Sequence, residues 1–102
     1  MMWLNDSEEK IISEFLNIME KSTNKDLYEM EWQDGTKIVG YCDTIYESDN
    51  DLELEDPNYE EYWGVAICIV NIVKQGSEIE GKTINDLIEI NYHNVPISYK
   101  KI

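Results

Sequence analysis

A chain of 102 residues with 22 acids, eight lysines and a net charge of −14 reads as a single domain over 1–102, which buries roughly two-thirds of its unfolded surface on folding. An apolar share of 42%, with seven tyrosines and three tryptophans, excludes a disordered chain. The absence of arginine removes the bidentate donors that phosphate and guanine readout need, so no nucleic-acid partner is expected.

The opening MMWLNDSEEK lacks a basic segment followed by an apolar one, so no secretory leader is expected. The longest apolar run, VAICIV, is too short to cross a bilayer, so no membrane role is expected either. Cys42 and Cys68 lie in apolar runs without Cys-x-x-Cys spacing and read as free, buried thiols of a cytoplasmic protein.

DSEEKIISEFLNIMEKSTN predicts an amphipathic helix. Asp6 or Ser7 serves as its cap, and Glu8 and Glu9 suit the positive end of the helix dipole. Ile12, Phe15, Leu16 and Met19 share one face, flanked by Ile11 and Ile18. LYEMEWQ then alternates with period two, as a half-buried antiparallel strand does. Asp34-Gly35 predicts a tight primed turn into the strand TKIVGYCDTIY, with a bulge or bend at Gly40. In the next connection, Leu52 and Leu54 alternating with Glu53 and Glu55 admit a short edge strand before Pro57 and Asn58 break the chain. EYWGVAICIVNIV predicts a central strand buried on both faces. KQGSEIEGKT reads as a loop, and DLIEINYHNVPISY as a strand interrupted at Pro96, followed by a frayed or briefly paired tail. The fold class is α+β: an N-terminal helix packed on a strongly bent, roughly five-stranded antiparallel sheet or partly open barrel.

No motif carries catalysis. Asp49, Asp51, Glu53, Glu55 and Glu60 match the spacing of calcium-loop ligands. Leu54 stands where the sharp turn needs glycine, and no helix pattern follows. Glu60 with Glu61, or Asp43 with Glu47, are carboxylate pairs without a cleft to serve. His93 is the lone histidine, lacks cysteine partners at zinc spacing, and reads as structural. The chain is therefore read as non-enzymatic, with no metal and no cofactor. What stands out is the acidic–aromatic run. Asp43, Glu47, Asp49, Asp51, Glu53, Glu55, Asp56, Glu60 and Glu61 are interleaved with Tyr46, Tyr59, Tyr62 and Trp63. Tyrosine and tryptophan anchor interfaces, and one-signed charge steers an oppositely charged partner, so these residues are the candidate binding face for a basic protein.

The order of helix, strand, Asp-Gly turn and strand bent at glycine, with DGTKIVG at Asp34 to Gly40, resembles the first half of Sm-like small barrels. The resemblance implies an Sm-like or SH3-like open barrel. The second Sm motif and its RNA-contacting arginine are absent, so RNA binding does not carry over. Self-association through sheet edges, with no toxin partner, is the alternative function that this resemblance leaves open. CDTIYESDN and EEYWGVA (Cys42 to Asn50 and Glu60 to Ala66), in a small, very acidic chain, resemble orphan immunity proteins of bacterial polymorphic and contact-dependent toxin systems. That resemblance implies a cytoplasmic bacterial inhibitor that neutralises a cognate toxin, often a basic nuclease, by covering its active site.

Overall fold

A computed structural model describes residues 2–102. The helix α1, Glu8–Glu20, is followed by five strands: β1 Tyr28–Glu31, β2 Lys37–Asp49, β3 Glu61–Lys74, β4 Leu87–Ile90 and β5 Ser98–Lys101. All pairings are antiparallel, in the order β4-β3-β2-β1-β5. The two outer strands do not pair with each other, so the sheet stays open. Register shifts at Lys37/Ile38, Val39/Gly40 and Cys42/Thr44 interrupt the long β2–β3 ladder and bend it, as expected at Gly40.

The predicted helical stripe is the core face of α1: Ile12, Phe15, Leu16 and Met19 are all buried. It packs on Met30, Ile38, Val65, Ile67, Ile69 and Ile90, each fully buried. Strand β3 is buried on both faces from Gly64 to Ile69, as its apolar run predicts. Cys42 and Cys68 are both free and buried. They pair with Ile67 and Tyr41 on adjacent rungs, which places them on opposite faces of the sheet.

Several local expectations change. Ser7 holds the N-cap position of α1 but its side chain makes no capping bond: Asn5 Oδ1 instead accepts the N–H groups of Ser7 (3.0 Å) and Glu8 (3.1 Å). Asp34-Gly35 does form a hairpin turn, but positive φ occurs at Gly35 alone. Gly35 N donates to Trp32 O, which makes the longer turn with a glycine bulge. Leu52 and Leu54 are not in a strand. They sit exposed in the 50–60 loop, whose backbone bonds to itself rather than to a neighbouring ladder. The segment read as a plain loop contains a 3-10 turn, Ser77–Ile79, which sends Ile79 fully into the core. The tail takes the paired one of its two expected forms, as strand β5, with Tyr99 opposite Met30.

Candidate functional site

The whole acidic–aromatic run lies on one hairpin, β2–β3 and its 50–60 loop. No lysine interrupts the sequence between Lys37 and Lys74. Strand alternation distributes the side chains. Ile45 packs on the core, so Glu47 and Asp49 share the helix-side face, while Tyr46 and Ser48 occupy the opposite face. Asp43 lies at the Cys42/Thr44 bulge and is exposed. Asp49 stands directly opposite Glu61, and both are exposed. Like charges paired across strands destabilise a ladder, so this end of the hairpin holds repulsion that a cation would relieve.

The loop itself is well tied. Asn50 Nδ2 donates to Asn58 O at 2.8 Å, and Asp51, with φ of 64°, donates its N–H to Asp49 Oδ1 at 2.8 Å. Asn58 N–H bonds to Asp56 Oδ1, also at 2.8 Å. Asp51, Glu53 and Glu55 point into solvent with Leu54, which is 75% exposed. Asp56 and Tyr59 are half-buried.

The remaining aromatic and acidic residues serve the hairpin's own architecture. Tyr62 is buried, with its hydroxyl donating to Asp49 O at 2.9 Å and its ring edge-on to Tyr92 and His93. Trp63 is half-buried against the core, and its indole N–H donates to Met2 O at 2.8 Å. Glu60 accepts from the Tyr92 hydroxyl and bonds to the His93 ring. The Tyr92 hydroxyl, then His93, hold the Glu60 carboxyl below its ordinary value against the opposing effect of burial. The same contact, after burial, pushes the Tyr92 hydroxyl up to about 12.

Two further residues belong to the site although the run did not contain them. Tyr46 reaches across Gly64 to donate to Glu89 Oε1 at 2.6 Å. Glu89 also accepts from Ser48 at 3.0 Å and Asn91 at 2.8 Å. Burial and then Glu89 raise the Tyr46 hydroxyl well above its ordinary value. The bridge ties β2 to β4 over the strand between them, and Gly64 makes the room: a Cβ there would lie 2.9 Å from both Glu89 Oε1 and Tyr46 Cε2. Gly64→Val should therefore cost about 1–3 kcal/mol by overpacking. A urea-denaturation midpoint equal to the parent's would show that the bridge gives way freely. The second missed residue is Glu8, whose side chain is fully buried and accepts the N–H groups of Leu4 and Trp63. Glutamate in a first helical turn signals a dipole contact, and only the tertiary fold reveals the reach to β3.

The site is a hairpin end and its connecting loop. Among the described residues, no three histidine, cysteine or carboxylate side chains converge to hold a metal, and no helix is long and apolar enough to cross a membrane. It presents an ordered anionic loop on a rigid hairpin. A family model described as cognate immunity protein YxxD matches residues 9–101. No curated protein and no solved structure matches the chain. With nearly the full length of the chain matched, the protein belongs to the YxxD cognate immunity protein family.

Proposed function

We propose that this protein neutralises a basic, nuclease-like toxin in the bacterial cytoplasm, without catalysis, by laying the β2–β3 hairpin over the toxin's active site. The observation that carries this reading is the charge of the hairpin. Nine acids lie between Asp43 and Glu61, with no lysine from residue 38 to residue 73. A nuclease site is built to hold phosphates. A row of carboxylates on an ordered loop offers the same sign of charge at little ordering cost, because the loop's hydrogen bonds are already made. The acids steer the encounter, and exposed Leu52 and Leu54, with half-exposed Tyr59, supply apolar contact. Tyr62 and Trp63 hold the hairpin's shape from within.

The test replaces Asp49, Asp51, Glu53 and Glu55 together by Asn or Gln. Asparagine at position 49 keeps an acceptor for the Asp51 N–H, so the turn is preserved. Association with the cognate toxin domain should slow by about tenfold or more at low salt. The parent's own rate should fall steeply as salt rises, since exposed charges are screened within about 8–10 Å at physiological ionic strength. A parent rate insensitive to salt would remove the steering role.

A further inference from the structure

A cleft of about 460 Å³ lies where the β1–β2 turn, the 3-10 turn and the 91–97 connection meet. Trp32 lies at its floor, 4% exposed, with its indole N–H fixed to Asn94 O at 2.6 Å. Asp34 and Glu78 line one wall, His93 borders it, and Ile97, 67% exposed, stands at the rim.

The two carboxylates differ. Asp34 is fully engaged: it accepts from Thr36 N at 2.9 Å and from the Ser77 hydroxyl, and these bonds hold its carboxyl down to about 2. It is therefore a fixed negative charge. Glu78 is half-buried and has no ion-pair partner among the described residues. Burial, then Asp34, push its carboxyl above the ordinary range. The nearby charges do not relieve it. The Lys74 side chain lies over Gly35, and the His93 ring is bonded to Glu60. The cleft thus combines an aromatic floor, an aliphatic rim and an uncompensated carboxylate. A long cationic side chain suits such a cleft, with its methylenes on the rim and its charged head on the Glu78 carboxylate.

We propose that this cleft receives a basic side chain of the partner toxin, with Glu78 as its counter-ion and Trp32 as its floor. The proposal rests on the reading of the partner as a cationic protein. It adds a second, specific contact beyond the steering hairpin, linked to it through the His93–Glu60 bond.

The experiment is Glu78→Gln, which keeps shape and removes charge, measured against the cognate toxin domain. The expected result is a tenfold or greater rise in Kd, mainly through faster dissociation, with a melting temperature equal to or above the parent's. A purely structural carboxylate would lower the melting temperature and leave Kd alone, which overturns the proposal. In parallel, the Trp32 indole resonance should shift on binding to the parent chain, and an unmoved resonance overturns the proposal as well. The quadruple hairpin variant separates two kinds of failure. If it weakens binding while Glu78→Gln does not, the cleft is wrong and the cationic partner stands. If neither variant changes rate or affinity, the cationic partner itself is wrong.

Discussion

Glu8→Ala should lower the unfolding free energy by about 3–5 kcal/mol, a large share of the roughly 5–15 kcal/mol typical of a domain. The carboxylate is completely buried. One oxygen accepts Leu4 N at 2.9 Å and the other accepts Trp63 N. Alanine would leave both backbone donors in surroundings that water does not reach, and an unpaired buried donor costs more than a hydrogen bond gains. Glu8→Gln keeps one acceptor and should lose about half as much. The damage should concentrate at the base of the acidic hairpin, because Asn5 Nδ2 to Glu61 O and Trp63 Nε1 to Met2 O are the neighbouring ties to the same N-terminal segment. Equilibrium urea denaturation gives the loss, and hydrogen exchange at the Trp63 amide locates it. A midpoint within error of the parent's would mean that the buried carboxylate contributes nothing to stability.

Phe15→Ala should cost about 3–5 kcal/mol, from lost burial and the cavity left behind. Phe15 is 1% exposed in the centre of the helix stripe. Its ring stands edge-to-face on Tyr99, with centroids 5.1 Å apart, and the Tyr99 hydroxyl donates to Glu14 at 2.7 Å. These two contacts fasten the outer strand β5 to α1, so the void opens directly beneath that strand. Amide exchange in residues 98–101 should rise before exchange in the β2–β3 ladder does. Uniform acceleration across the sheet would show that β5 has no separate dependence on the helix. Phe15→Leu fills most of the void and should recover the greater part of the stability, which separates packing from any effect on the helix itself.

The helix stripe, the Asp-Gly hairpin and the doubly buried strand were legible because each is written in consecutive residues as periodicity, a turn pair or an apolar run. Immunity function was legible as a resemblance, carried by two acidic–aromatic stretches and the sign of the net charge. What escaped depends on contacts between distant segments. Nothing local distinguishes buried Glu8 from exposed Glu9, since both are first-turn acids. Ile79 sits among polar loop residues and is drawn inward only by the 3-10 turn. The alternating leucines at 52 and 54 lack a neighbouring strand to pair with, so the pattern has no ladder to join. The continuous acidic run is divided by the pleat between two faces and a loop, and Tyr62, an apparent contact residue, turns inward. The Trp32–Glu78 cleft is assembled from three separate segments, at 32–34, 77–78 and 93–97, beyond the reach of any spacing argument.

The ends of the sheet are short: β4 and β5 have four residues each, as interior β1 does, against thirteen and fourteen for β2 and β3. A brief outer strand offers few unpaired amides and carbonyls, and β5 carries Lys100 and Lys101 along it. The most apolar part of the long strand β3, Val65–Cys68, is kept between β2 and β4. An immunity protein gains from this arrangement, since the folded chain is less exposed to loss through aggregation.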